Sequence, residues 1–214
     1  MNKLKLFAGI LIFGSLWGFS EVFVGSGLYE TGLPSGAIMT GIFAMMFLVM
    51  SRMLYRQPGM QLGMGLVAGG LKLFNPFIAC NICSAFAIMA EGAIFELIWY
   101  KLSFDSIEVT RTMQVSMGII TGYCVYIGGY MVTQILTPIL AGPGFYLENL
   151  IILMPNILAT GLIAALIGGI VLPATLLVKK TDIKIKDRLY YPTTLGITAI
   201  CWFIVISNWL LIAA

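Results

Sequence analysis

Four ionisable side chains lie inside long apolar segments of this sequence, where a charge is expensive. They are Glu21, Lys72, Glu91 and Glu96. Placing such a group in hydrocarbon costs about 2.5–3.5 kcal/mol on insertion scales, and residues of this kind mark pairing or function. Glu21 and Lys72 lie about 24 and 20 Å along their predicted spans, at similar depths in the outer half of the membrane. We therefore expect them either to form an ion pair between helices or to line a cavity that holds a polar solute.

The other two glutamates have different predicted depths. Glu91 lies near the middle of its span, and the sequence places no cation at the same depth. It either contributes to a solute site or remains neutral and packs against Gly92. Glu96 lies nearer the inner end of the same span and is expected at the membrane interface.

Residues 74–84 form an unusually polar break between two apolar segments. The break contains Asn75, Pro76 and Asn81. Asparagine amides supply both hydrogen-bond donors and acceptors, and proline removes a backbone donor from the turn. This composition at the outer end of two helices is compatible with a lid over a ligand. The predicted substrate-binding residues are therefore Glu21, Lys72, Asn75, Asn81 and Glu91.

Cys80 and Cys83 form a C-x-x-C motif within this break. The motif has four interpretations: a redox dithiol, half of a metal site, a structural disulfide, or two small apolar thiols at a helix start. The chain has no His and no second C-x-x-C, so we predict neither a metal site nor a cofactor. No catalytic residue is assigned. Cys124 and Cys201 lie mid-span, where a free thiol usually behaves as a small hydrophobe.

Composition indicates the fold class. Of the 214 residues, 60% are hydrophobic and 10% are charged, whereas soluble domains carry about 25% charged residues. Because backbone groups in lipid must be paired internally, the apolar runs are predicted to be helices. We expect an all-α integral membrane protein with one transmembrane domain over residues 1–214 and six or seven spans. The predicted spans are 5–28, 34–51, 59–77, 79–100, 113–140, 148–178 and 191–213, and 59–100 could instead be a re-entrant pair.

The positions of the basic residues predict the orientation. All of the 12 Lys and Arg residues except Lys72 lie at the N-terminus or in the loops near 51–58, 101–112 and 179–190. Basic residues near membrane spans favour the cytoplasmic side. We therefore predict a cytoplasmic N-terminus in a cytoplasmic (inner) membrane. The net charge of +3 is too small to indicate nucleic-acid binding.

Small residues recur at four-residue spacing in several spans. Examples are Gly14 with Gly18, and Gly118 with Gly122. This spacing allows close approach of helices in membranes. The pairs could dock a partner subunit or could pack the helices of this chain together.

The first half of the chain resembles the substrate-binding S components of energy-coupling-factor transporters. The resemblance lies in the small-residue face of the first span (Gly14, Gly18), the Gln57-Pro58-Gly59 turn before a Gly-rich span, and apolar helices that carry Glu. It implies a small-solute site near the outer face, for a vitamin-like molecule or a metal ion. It also implies a transmembrane coupling partner and an ATPase. The strict Ala-x-x-x-Ala docking pattern of that family is absent here.

Three functions remain open from the sequence. The first is a subunit that binds or transports a small solute. The second is a membrane thiol oxidoreductase, with quinone as a possible partner, that uses Cys80 and Cys83. The third is a non-catalytic subunit of a larger membrane complex.

Overall fold

The computed structural model describes residues 3–77, 80–100, 110–142, 147–178 and 187–213, and these residues form seven helices. The second helix is continuous and contains a π-helical turn, Thr40–Ala44. The basic residues within 101–109 and 179–186 lie outside the described residues. The helices are α1 (Lys3–Glu30), α2 (Ser35–Tyr55), α3 (Met60–Lys72), α4 (Asn81–Trp99), α5 (Arg111–Ala141), α6 (Leu147–Val178) and α7 (Asp187–Ala213).

Six of these helices are long and apolar enough to cross a membrane, and α3 is the exception. The 13 residues of α3 rise about 20 Å, whereas the hydrocarbon core is about 30 Å thick. The predicted span 59–77 is therefore too long: its last residues are not helical. The described residues therefore form six candidate membrane spans and one shorter helix, the pattern of a multi-pass membrane protein.

Hydrogen bonds of Asn75 explain why α3 ends early. After Lys72 the backbone turns, and Asn75 N donates to the Lys72 carbonyl at 3.1 Å. The Asn75 side-chain oxygen then accepts from Phe77 N at 2.9 Å. Pro76 has no backbone N–H to continue a helix. These features end α3 with Lys72 in its last turn.

Small residues hold neighbouring helices close together. A Cβ on Gly14 would lie 2.9 Å from the Met64 carbonyl oxygen, and a Cβ on Gly18 would lie 2.9 Å from the Ala68 Cα. A Cβ on Gly118 would overlap the backbone of Gly168. The first pair packs α1 against α3, and Gly118 packs α5 against α6. These faces are therefore used within the chain.

The core and the outer surface are both apolar. Trp17, Met45, Met64, Phe95 and Trp99 are fully buried between α1, α2, α3 and α4. By contrast, α6 and α7 expose many large apolar side chains, as expected for helices that face lipid. Examples are Ile152, Leu166, Ile170, Phe203 and Leu211.

One end of the bundle is closed by a polar network around Glu96. We call it the basic end, because the start of α1 (Lys3, Lys5) and the end of α2 (Arg52, Arg56) lie there. One Glu96 oxygen accepts from Gly59 N at 2.9 Å, and the other accepts from Gln61 N at 3.0 Å. These bonds satisfy the free N–H groups at the start of α3.

Arg52 completes the closure of the basic end. Its guanidinium lies 3.6 Å from Glu96 and donates to the Trp99 carbonyl at 2.7 Å. The side chains of Arg52 and Glu96 are only 10% and 12% exposed. The sequence predicted only a position at the membrane interface for Glu96. In the structure Glu96 also joins the ends of α2 and α4 to the start of α3.

Candidate functional site

A cavity of about 470 Å³ lies at the opposite end of the bundle. This volume falls within the range of about 300–1,000 Å³ found for small-molecule sites. Its walls come from α1, α2, α4, α5 and the last turn of α3. The charged residues of the lining are Glu21, Lys72 and Glu91. We call this space the central cavity.

Glu21 and Lys72 form an ion pair between α1 and α3, which was one of the two alternatives expected from their similar depths. Lys72 Nζ lies 3.4 Å from Glu21 Oε2 and donates to the Glu21 backbone carbonyl at 2.6 Å. The side chains are 5% and 11% exposed for Lys72 and Glu21. Both also line the central cavity, so the bridge between helices is part of the cavity wall.

Glu91 lies on the α4 wall and is only partly satisfied. Its Oε1 accepts from Thr40 Oγ1 at 2.7 Å. Its Oε2 is buried and has no hydrogen-bond partner among the described residues. Gly129 of α5 makes room for this side chain, since a Cβ there would lie 2.7 Å from Glu91 Cγ. Gly92, the predicted packing partner, instead lies against Gly65 of α3.

The π-helical turn of α2 provides the Glu91 partner. Thr40 begins this turn, is buried, and lines the central cavity. Single π-helical turns within α-helices occur frequently at functional sites. The turn therefore coincides with the point where α2 contacts the carboxylate of α4.

The wall formed by α5 was not predicted from the sequence. Tyr126, Tyr130, Thr133 and Thr137 all line the cavity. They are spaced by three or four residues and so lie on one helix face. A polar stripe of this period along an otherwise apolar span was the signal available in the sequence.

Two predicted site residues do not line the central cavity. Asn75 is fully buried. Its amide nitrogen donates to Ser26 Oγ at 3.3 Å, and its amide oxygen accepts from Phe77 N at 2.9 Å. Asn81 begins α4 outside the lining, and its side-chain oxygen is buried without a hydrogen-bond partner in the described structure. The described part of the 74–84 break ends α3 and starts α4, and it contributes Phe77, Cys80 and Ser84 to the cavity wall.

Cys80, which caps the start of α4, and Cys83, in its first turn, form a disulfide with their Cα atoms 5.3 Å apart. Cys83 is buried, and Cys80 lines the cavity. No cluster of three or more His, Cys, Asp or Glu residues suited to a metal ion occurs in the described ranges. Of the four interpretations, the bridge agrees with a structural disulfide or with the oxidised state of a redox dithiol.

The bridge predicts the thiol reactivity of the chain. Without reductant, a maleimide is expected to leave Cys80 and Cys83 unmodified in the denatured protein and to label Cys124 and Cys201. After reduction all four thiols should react, as measured by the mass of the intact protein. Labelling of four thiols before reduction would show that the bridge is not formed.

Comparisons of this chain with protein-family models, with curated proteins and with solved structures find no match.

Proposed function

We propose that this chain is a membrane-embedded subunit that binds a small solute for transport, with the central cavity as its site. The observation that carries the proposal is the burial of Glu21, Lys72 and Glu91 around a cavity of about 470 Å³. Ionisable groups inside a membrane domain are costly, and they mark substrate or ion pathways. Lining hydroxyls and tyrosines add groups that can orient a bound molecule.

The closed basic end supports a binding subunit with access from one side. Arg52 contacts Glu96 and the Trp99 carbonyl, and Glu96 accepts bonds from the start of α3, so α2, α3 and α4 are joined there. The basic residues of that end favour the cytoplasmic side of an inner membrane, so the cavity would face outward. A coupling partner and an ATPase are part of this proposal. Gly14 and Gly18 already pack against α3, so a partner would dock elsewhere on the surface.

The thiol oxidoreductase is a second candidate, because the Cys80–Cys83 disulfide borders the cavity. Quinone-linked disulfide exchange needs a further cysteine pair within reach. Cys124 and Cys201 are unpaired and lie on different helices, α5 and α7. The disulfide therefore gives this candidate less support than the buried charges give solute binding.

Blocking the cavity tests the proposed function. A Cβ on Gly25 would lie 3.6 Å from Glu21 Oε2 and 3.7 Å from Lys72 Nζ, so Gly25→Phe places a ring beside the ion pair. Gly27 lies two residues away on the same helix and has nothing within 4 Å of an added Cβ. Gly27→Phe is therefore a matched control on the exposed face of α1, away from the cavity.

The readout is the set of small molecules that the purified protein retains in nanodiscs after exposure to a metabolite extract. Mass spectrometry of the released material should find at least one compound with the wild type and Gly27→Phe. Gly25→Phe should lose it. Recovery of the same compounds from Gly25→Phe would contradict solute binding in the central cavity.

A further inference from the structure

The charges of the central cavity do not balance. Its described lining contains two carboxylates, Glu21 and Glu91, and one ammonium, Lys72. Lys72 is committed to Glu21 through both the backbone carbonyl and Oε2. The Glu91 carboxylate is therefore the group whose charge is not matched by a described lining side chain.

The buried Oε2 atom of Glu91 also lacks a hydrogen-bond donor among the described residues. The residue is 7% exposed, and Thr40 satisfies Oε1 while Oε2 has no partner in the described part of the chain. A buried carboxylate oxygen without a donor is costly. An ammonium group is the ligand chemistry that supplies both the missing donor and the missing positive charge, and such charge-assisted bonds are about twice as strong as neutral ones.

The α5 wall favours the same ligand charge. Tyr126 and Tyr130 stack on one another with ring centroids 5.5 Å apart, on the α5 face that borders the cavity. Tyr29 and Phe77 add two more aromatic rings to the lining. Aromatic faces attract cations through their negative quadrupole and also bury the apolar body of a ligand.

From these observations we infer that the solute is an organic monocation, a primary amine on an apolar or aromatic body, with its ammonium group on Glu91 Oε2. The inference rests on the proposed function and specifies its substrate class. In the bound state the ammonium donates to Glu91, while the Glu21–Lys72 pair remains intact. The ring of the ligand lies against the α5 tyrosines.

A matched set of three probes tests the charge preference. Tryptamine, tryptophol and indole-3-propionate carry the same ring with an ammonium, a hydroxyl or a carboxylate. We expect tryptamine to raise the melting temperature of the detergent-purified full chain in a saturable way, and the other two to bind at least tenfold more weakly. Equal or tighter binding of tryptophol or indole-3-propionate would overturn the inference, as would the absence of a shift with tryptamine.

Substitution of Glu91 then tests the residue. Glu91→Gln should weaken tryptamine binding about tenfold or more, the expected effect of losing a bond to a charged group. It should also abolish the preference over tryptophol. Glu91→Asp keeps the charge and should keep the preference for tryptamine over tryptophol. It is the variant to measure if Glu91→Gln does not fold. Glu148→Gln, on the exposed start of α6, is the control. An unchanged preference in Glu91→Gln would refute the role of Glu91.

Gly25→Phe separates this inference from the proposed function. If the neutral or acidic probe binds wild type as tightly as tryptamine and Gly25→Phe abolishes that binding, the cavity is a solute site and only the cation preference is wrong. If tryptamine binds wild type and Gly25→Phe equally, the probe lies elsewhere, and both the inference and the cavity assignment fail.

Discussion

Lys72→Met is expected to lower the free energy of unfolding by about 3–5 kcal/mol, because it leaves a buried carboxylate without its cation. As whole residues, Lys72 is 4% exposed and Glu21 is 8% exposed, so water replaces little of the lost interaction. The measurement is unfolding in mixed micelles by increasing SDS. Lys3→Met, at the exposed start of α1, removes a positive charge without breaking a buried pair and should change stability far less.

The double variant Glu21→Gln/Lys72→Met distinguishes an ion pair from simple packing. Removing both charges eliminates the uncompensated group, so the double variant should be more stable than Lys72→Met alone. The Glu21 backbone carbonyl would still lose its bond from Lys72 Nζ, so full recovery is not expected. Additive destabilisation by the two substitutions would contradict a coupled pair.

Glu96→Ala is expected to destabilise the protein by about 3 kcal/mol or more, the combined effect of a lost helix cap and a broken buried ion pair. The substitution leaves the N–H groups of Gly59 and Gln61 without their acceptor. It also leaves Arg52 without its carboxylate. The same SDS titration measures the change.

The control for Glu96 is Glu30→Ala. Glu30 is exposed at the end of α1, so truncating it should change stability by less than about 0.5 kcal/mol. If Glu96→Ala had an equally small effect, the network at the basic end would not hold α2, α3 and α4 together.

The Glu21–Lys72 pair was predictable because depth along a helix follows from counting residues. Each residue adds a fixed rise, and two opposite charges buried at the same depth attract each other strongly. The distance between α1 and α3 was not predictable in this way. It depends on Gly14 and Gly18 meeting α3 without side chains, and small-residue spacing alone does not say which helix is the neighbour.

Asn75 shows where reasoning from residue type fails. A polar residue at a helix end can bind a ligand or complete the backbone hydrogen bonds of the turn, and the sequence does not separate these uses. In the structure Asn75 donates to Ser26 and accepts from Phe77 N, and it is not part of the cavity lining. Its other effect, ending α3 after 13 residues, is why six helices rather than seven are long enough to span a membrane.

Thr40 and the α5 wall were missed for a different reason. Thr40 reaches Glu91 within a π-helical turn, and no residue type in Thr40–Ala44 marks such a turn. Tyr126 and Tyr130 have helical spacing, but tyrosines at this spacing also pack structural interfaces. Only the position of Glu91 against Gly129 shows that this face of α5 borders the charged site.

The amount of small molecule retained by Gly25→Phe and by Gly27→Phe in nanodiscs is the most direct test of the central cavity as a solute site. Both variants add the same ring to α1, one beside the Glu21–Lys72 pair and one in open space. The account predicts that the compound held by the wild type is lost from Gly25→Phe and kept by Gly27→Phe. Equal retention by the two variants would contradict it.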